Sequence, residues 1–219
     1  MEVPPELPQP IEADYLKVIF DRGVAAIGLL LTSPFLALAA VLILLDGLFR
    51  ASDRGPVLHR ETRISKGRPF SIFKFRTMQV AAIEEMRAQG LTVKYLERQN
   101  RGQTRVGIFL RRFYLDELPQ LFNILRGEMS FVGPRPPAPF EYEKELSKGI
   151  VRKRLATAGL VGLQQAAKGR TGSIEEEIAL DYEYVRQAGS MNPLRRLAYD
   201  ASIMVRSVTV LMEGKGLEY

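Results

Sequence analysis

The chain has 219 residues, room for one buried core and one apolar segment, and its 31 Lys and Arg outnumber its 25 Asp and Glu, giving a formal net charge of +6. That balance suits an anionic surface or ligand, such as phospholipid headgroups, nucleotides or nucleic acid. The absence of cysteine and the single histidine, His59, exclude disulfide frameworks, thiol nucleophiles, thiolate metal centres and His-clustered metal sites, and His59 itself reads as structural or merely polar.

Residues 1–14, with four prolines and four acids and no periodic apolar face, read as a weakly ordered extended arm. From Val24 to Leu45 the chain carries no charge, which at about 1.5 Å rise per residue is long enough to cross the ~30 Å hydrocarbon core. Acidic Pro-rich sequence precedes this run and Asp21 and Arg22 abut it, so a membrane segment fits better than a cleaved signal peptide. Ser33 and Pro34 stand at its midpoint. Pro34 lacks an N–H and crowds the carbonyl one turn earlier, so a kink is expected there, with Ser33 able to cap the freed backbone. Both flanks are basic, Lys17 and Arg22 before and Arg50, Arg54, Arg60 and Arg63 after. Two ends on the cytoplasmic side satisfy both flanks, which favours a bent hairpin entering and leaving by one face over a kinked span.

"FSIFKFRTM" (70–78) alternates apolar and polar residues and predicts a short strand with a basic polar side. Residues 80–98 read as a mostly polar surface helix broken near Gly90. Helix is expected over 104–126, around "RRFYLDELPQL", followed by turn, strand and rigid loop in "RGEMSFVGPRPP". There Pro134 and Pro136 bracket Arg135, and a residue before proline is held in extended geometry, which narrows the directions its guanidinium can take. Ser173 and Glu176 form a capping box opening a helix, and Asn192 with Pro193 opens the last one, ending near Gly214. Leu194, Leu197, Ala198, Ala201, Val205, Val208 and Met212 share one face of it. That face fits either a core or a membrane interface, with Arg195 and Arg196 meeting phosphates in the second case.

Lys74, Arg76, Arg111, Arg112 and Arg135 gather cations around the adjacent carboxylates Asp116 and Glu117. Carboxylates amid arginines, without His or Cys, suit a hard cation such as Mg²⁺ bridging carboxylate to phosphate. Arginines hold phosphate oxygens bidentately. Phosphoryl transfer uses this equipment, and a carboxylate kept ionised can also be its nucleophile. Acids at the positive end of a helix near arginines are common, however, so a solvated helix start explains the pair equally simply.

"KVIFDRGVAAIGLLLTSPFLALAAVLIL", "GRPFSIFKFRTM", "RVGIFLRRFYLDELPQLFNILRGEMSFVGPRP" and "LDYEYV", in that order, resemble the bacterial sugar transferase family, the monotopic phosphoglycosyl transferases, from Lys17 onward. The resemblance implies transfer of a sugar 1-phosphate from a UDP-sugar to a polyprenol phosphate with release of UMP, the first lipid-linked step of glycan assembly. It implies that Asp116 is the nucleophile carrying a covalent phosphosugar, Glu117 its dyad partner, and Mg²⁺ a cofactor held beside them. Arg111, Arg135, Lys74, Arg76 and Thr77 match positions that serve substrate phosphates, and Ser33 and Pro34 match the break of a re-entrant membrane helix. The expected fold is therefore α+β, mostly helical with short strands: a flexible arm (1–14), a re-entrant helix-break-helix hairpin (15–50) and a cytoplasmic-face catalytic domain (51–219) with amphipathic interfacial helices. The expected location is the inner membrane, cytoplasmic face. Two departures stand out: the link "DGLFRASDRGPV" is longer than in many members, and "TAGLVGLQQ" matches the usual motif loosely, leaving Gln164 and Gln165 without an assigned role.

A competing reading is a membrane-anchored basic module that binds without turnover. Its arginines are dispersed among separate motifs and form no stripe interleaved with stacking aromatics, so nucleic acid is not an expected partner.

Overall fold

The computed structural model describes residues 7–12, 14–88, 101–167 and 173–212, mostly helical with short strands. They divide into two compact units, the first built from 7–26, 62–72 and 123–212, the second from 27–61 and 73–122. The helix expected over 80–98 lies outside the described residues beyond position 88, as does the last stretch to Gly214.

The uncharged run folds into α1, Tyr15–Phe49, a helix of 35 residues with Pro34 inside. Among the described residues it alone is long and apolar enough to cross a membrane. Leu30, Leu31 and Phe35 are 74%, 69% and 63% exposed, an arrangement that water disfavours and hydrocarbon does not. The break expected at Ser33–Pro34 does not divide α1 into two helices. Pro34 cannot donate to the carbonyl of Leu30, four residues back, and Ser33 Oγ donates to that oxygen instead at 2.8 Å. Thr32 Oγ1 likewise donates to the Gly28 carbonyl at 2.7 Å. The orphan created by the proline is satisfied within the turn, so the helix continues.

The first turns of α1 do not behave as membrane segment. Lys17 and Asp21 are each 5% exposed, and Lys17 Nζ lies 3.0 Å from Asp21 Oδ1 and 2.9 Å from Asp200 Oδ2. Burial pushes the Asp200 carboxyl above its usual range, while Lys17 and Arg196 pull it back, and Tyr184 donates to Asp200 Oδ1 at 3.2 Å. The arm ahead of α1 is also less loose than expected. Ile11 is buried, its N–H donates to Leu155 O at 2.7 Å, and its carbonyl accepts from Lys66 Nζ at 2.8 Å.

β1 (Leu58–Ser65) and β2 (Arg68–Phe75) form a hairpin through the two-residue turn Lys66–Gly67. Both turn residues have positive φ, 48° and 76°, the type I′ geometry that matches strand twist. The expected strand over 70–78 thus ends at Phe75, leaving Arg76 and Thr77 beyond the sheet. In the second unit follow α2 (Val80–Ala88) and α3 (Arg105–Arg112). Its core gathers Ala39 and Ile43 of α1, Phe75 of β2 and Leu110 of α3. Burying each large apolar side chain contributes roughly 1.5–3 kcal/mol.

α4 (Gln120–Arg126) leads into the first unit, with β3 (Ser130–Val132), α5 (Pro139–Leu146), α6 (Arg152–Leu155), β4 (Gly159–Val161), α7 (Leu163–Ala166), α8 (Ile174–Ser190) and α9 (Pro193–Met212). β3 and β4 pair in parallel, Ser130 opposite Gly159 and Val132 opposite Val161. The capping box is present at α8: Glu176 N donates to Ser173 Oγ at 3.2 Å and Ser173 N to Glu176 Oε2 at 3.3 Å. At α9, Arg195 N donates to Asn192 Oδ1 at 3.0 Å. Of the two settings open to the apolar face of α9, a core or a membrane interface, the core is not the one observed. Leu194, Val205 and Val208 are exposed, while Asp200, Ile203 and Ser207 are buried.

Candidate active site

The carboxylate pair sits where two helices are forced apart. Thr104 caps α3, its Oγ1 accepting from Gly107 N at 2.9 Å, and Thr104 N donates to the Thr77 carbonyl at 2.9 Å. A Cβ on Gly107 would strike that same carbonyl, so only glycine allows α3 to start against the residues following β2. α3 stops at Arg112 and Tyr114 takes a left-handed conformation, φ 56°. Leu115–Glu117 then form a single 3₁₀ turn, with Glu117 N donating to Tyr114 O at 3.2 Å and Leu118 N to Leu115 O at 3.3 Å. Pro119 has no N–H to make the next such bond, to the Asp116 carbonyl, so the tight turn ends at the acids and α4 begins at Gln120. Asp116 and Glu117 therefore precede the helix in a turn of their own, and do not occupy the first turn of an α-helix.

Asp116 is 7% exposed. Glu117 Oε1 accepts from Lys74 Nζ at 2.7 Å, with 14% and 21% of the two side chains exposed. β2 thus delivers one cation directly to the dyad. Arg111, a residue from the end of α3, is half-buried. Lys74, Arg111, Asp116 and Glu117 all belong to the second unit.

Arg76, expected to take substrate phosphate, is engaged elsewhere. At 2% exposed, it donates Nη2 to Asp53 O at 2.6 Å, Nε to Pro56 O at 2.8 Å and Nη1 to Met78 O at 3.0 Å. Its guanidinium folds the long link after α1 onto the end of β2 and, as placed, offers substrate no open side. Asp53 Oδ1 also accepts from Gln79 Nε2 at 2.8 Å, extending this clamp. Burial lowers the Arg76 pKa, against the raising effect of Asp53 and Asp46. Thr77 is buried, and its carbonyl serves the start of α3.

Arg135, in the first unit, shows the opposite arrangement. It is exposed between buried Pro134 and Pro136. Every carbonyl of Pro134–Pro137 accepts a hydrogen bond: Pro134 from Gly159 N at 3.0 Å, Arg135 from Lys153 Nζ at 2.9 Å, Pro136 from Arg63 Nη1 at 3.4 Å and Pro137 from Ile64 N at 3.1 Å. Such stitching holds the backbone on which the exposed Arg135 stands.

The Lys153 ammonium is itself buried. Burial lowers its pKa, opposed by Asp181, whose Oδ2 accepts from Lys153 Nζ at 2.7 Å and Arg152 Nη1 at 2.8 Å. Arg152 also pairs with Glu145, Nε to Oε2 at 3.0 Å. Burial works against the Arg152 charge, but Glu145 and Asp181 outweigh it and raise its pKa. The sequence carried one unused signal for this cluster: Asp181 falls on the same helical stripe as buried Ile178, Tyr182 and Val185, where a carboxylate needs a partner. Gln164 contributes Nε2 to the Glu177 carbonyl at 3.0 Å, a local tie between α7 and α8.

Among the described residues no group of three or more His, Asp or Glu could enclose a metal ion. The donor set at Asp116 and Glu117 fits only a cation that fills its remaining positions with water and phosphate oxygen, which is how Mg²⁺ is usually held.

The bacterial sugar transferase family model matches residues 12–214. The UDP-glucose:undecaprenyl-phosphate glucose-1-phosphate transferase of Caulobacter vibrioides is 36% identical over 211 residues, 92% of this chain and 72% of that protein. The exopolysaccharide production protein ExoY of Rhizobium meliloti is 37% identical over 182 residues, covering 76% of this chain and 75% of the relative. The UDP-N-acetylgalactosamine-undecaprenyl-phosphate N-acetylgalactosaminephosphotransferase of Aeromonas hydrophila is 31% identical over 217 residues, 96% of this chain but 46% of that longer protein.

Proposed function

The chain belongs to the bacterial sugar transferase family, and on that premise we propose that it transfers a sugar 1-phosphate from a UDP-sugar to a polyprenol phosphate, releasing UMP. The observation that carries this reading is the buried Asp116 carboxylate beside the Lys74–Glu117 ion pair, fixed in a turn that neither flanking helix absorbs.

In the first step a carboxylate oxygen of Asp116 attacks the phosphorus bearing the sugar, and the bond from that phosphorus to the UMP oxygen breaks. An acyl phosphosugar is left on Asp116. In the second step a phosphate oxygen of the lipid attacks the same phosphorus and the Asp116 carboxylate leaves, giving a polyprenyl diphosphosugar. Both steps develop charge on equatorial phosphoryl oxygens, which fixed cations stabilise without reorganisation. Lys74 and Arg111 supply that charge within the second unit, and Arg135 supplies an exposed fork suited to a diphosphate. Mg²⁺, held by Asp116 and Glu117 with substrate oxygens, would add charge neutralisation at the transferring group. Arg76 is assigned to the fold of the surrounding loop instead of to substrate. The donor sugar is left open, because the relatives' names include both glucose and N-acetylgalactosamine.

Purified enzyme mixed with a UDP-sugar and Mg²⁺, without lipid, should release about one equivalent of UMP and carry a phosphosugar on the peptide containing Asp116, detected by intact and peptide mass. Asp116→Asn should abolish both. Release of UMP only when lipid is added would instead indicate a ternary complex and remove the covalent step.

α1 is proposed to lie in the inner membrane with both flanks on the cytoplasmic side, bent at Pro34, and the exposed apolar face of α9 to rest at the headgroups. Because the chain has no cysteine, Arg22→Cys and Arg50→Cys each give a unique reporter. Both should react with an impermeant maleimide only in inside-out vesicles; opposite accessibility of the two would mean a span.

A further inference from the structure

Asp181, Tyr182 and Tyr184 of α8 come from the stretch "LDYEYV", and each is 2% exposed. The transfer chemistry proposed above uses none of them, yet their polar atoms converge on the segment that carries Arg135. Asp181 Oδ2 accepts from Lys153 Nζ at 2.7 Å, and that ammonium also donates to the Arg135 carbonyl at 2.9 Å. Tyr182 Oη accepts from Val151 N at 3.1 Å, at the cap of α6, the helix that carries Lys153. Tyr184 donates at 3.1 Å to the carbonyl of Val132, the last residue of β3 and three positions before Arg135. All of these residues belong to the first unit.

One helix thus holds the chain from Val132 to Arg135 at both of its ends, and little slack lies between. A Cβ on Gly133 would strike the Thr157 carbonyl, and Pro134 and Pro136 have their own φ fixed by their rings. The Tyr184 hydroxyl is itself held: it lies 3.2 Å from Asp200 Oδ1, and its ring stacks on Tyr199 with centroids 6.2 Å apart. Burial, followed by the Asp200 charge, pushes the phenol pKa up, so it stays a donor at neutral pH. Filling this space needs only a phenylalanine, whereas a hydroxyl and an ammonium act in a direction. What they direct is a backbone, and an arginine grips a diphosphate productively only from a backbone held within about 0.5 Å.

We propose that Tyr184 and Lys153 are positioning residues for Arg135, fixing the backbone from Val132 to Arg135 so that the guanidinium meets the diphosphate of the UDP-sugar. The inference rests on the role given to Arg135 above. Neither residue touches the donor. Both act through Arg135, so their loss costs donor affinity only while Arg135 is present.

The test uses the full chain, monodisperse in nanodiscs, with saturating undecaprenyl phosphate and whichever of UDP-glucose and UDP-N-acetylgalactosamine releases UMP faster. Tyr184→Phe keeps the stacked ring and deletes only the hydroxyl, and Lys153→Met keeps the length of the side chain. Each should raise KM for the UDP-sugar roughly two- to tenfold while kcat changes by less than about twofold. In an Arg135→Ala background the same substitutions should raise KM no further. A role confined to stability would instead lower kcat with the folded fraction and leave KM where it was. Because the chain has no cysteine, Arg135→Cys takes a unique nitroxide label, whose spectrum should be ordered and should gain mobility when Tyr184→Phe is added. Unchanged KM in both variants, KM effects that multiply with that of Arg135→Ala, or a label indifferent to Tyr184 would overturn the positioning role. Unchanged KM in Arg135→Ala alone would instead overturn the role of Arg135 in donor binding, and the nitroxide would still report whether α8 holds its loop.

Discussion

Asp181→Ala removes the one carboxylate oxygen that serves two buried cations, Arg152 at 2.8 Å and Lys153 at 2.7 Å, all three residues being no more than 6% exposed. Arg152 keeps Glu145, but among the described residues Lys153 keeps a neutral acceptor, the Arg135 carbonyl, in place of a carboxylate. Breaking a buried pair by deleting one partner costs about 3–5 kcal/mol, and the surviving Arg152–Glu145 pair favours the lower end, ~3 kcal/mol. For a chain of this size each kcal/mol moves Tm by about 2–4 °C, so the loss should be about 6–12 °C. The pH dependence gives a second and more selective readout. Burial already lowers the Lys153 pKa, with Asp181 the main opposing influence. Deleting Asp181 lowers it further. Below the ordinary lysine value near 10.4 the unfolded chain then binds more protons than the folded one, so stability rises with pH through that window. It rises more for the variant than for the parent, and the Tm gap should narrow between pH 7 and 10. Circular dichroism melts of both proteins in one detergent across that range measure it. Asp181→Ala combined with Lys153→Met should recover most of the lost Tm, because a matched apolar replacement removes the stranded charge. A loss below about 2 °C, or a gap independent of pH, would refute a desolvated cluster at Asp181.

Lys74→Met should lower Tm by several degrees, because it strands Glu117, whose side chain is only 14% exposed, and should slow the UMP burst roughly 100-fold by removing the cation at Glu117. Arg135→Ala should raise KM for the UDP-sugar roughly tenfold or more with little change in Tm, and Arg135→Lys should recover only part of that loss because it restores charge without the fork. Ser33→Ala should lower the bilayer Tm by about 2–4 °C by orphaning the Leu30 carbonyl, an effect near 1 kcal/mol. Ser33→Ala with Pro34→Ala should cancel it, since the restored N–H serves the same oxygen, and the double-variant cycle measures that coupling.

Where the chain's local chemistry is decided by neighbours in sequence, structure and expectation agree. Ser173 with Glu176 and Asn192 with Pro193 act as caps because the partner of each side chain lies three residues away. Ser33 relieves Pro34 for the same reason. Disagreement begins where a distant group decides. Lys66–Gly67 is the turn of a hairpin, but a lysine at φ 48° is not a usual hairpin signal, and β1 is missed with it. Tyr114 ends α3 by adopting a left-handed conformation that no tyrosine announces, so the acids, expected in a helix, occupy a separate 3₁₀ turn. Between the two settings open to the apolar face of α9, the choice is also made at a distance: Asp200, on the other side, is claimed by Lys17 from the far end of the chain.

Arginine makes the same point at the candidate site. Arg76 and Arg135 are equally eligible in sequence, each in a motif with a prolyl or threonyl neighbour and each able to grip phosphate. What separates them is the supply of backbone carbonyls. Around Arg76 the carbonyls of Asp53, Pro56 and Met78 converge on one guanidinium, which commits it to the fold. Around Arg135 the four carbonyls of Pro134–Pro137 are already satisfied by Gly159, Lys153, Arg63 and Ile64. Those four bonds come from other residues, and Arg135 itself stays exposed. A buried lysine held by Asp181 is thus part of what fixes the backbone beneath a surface arginine. Because that dependence runs from position 181 through 153 to 135, it can be read only once the chain is folded.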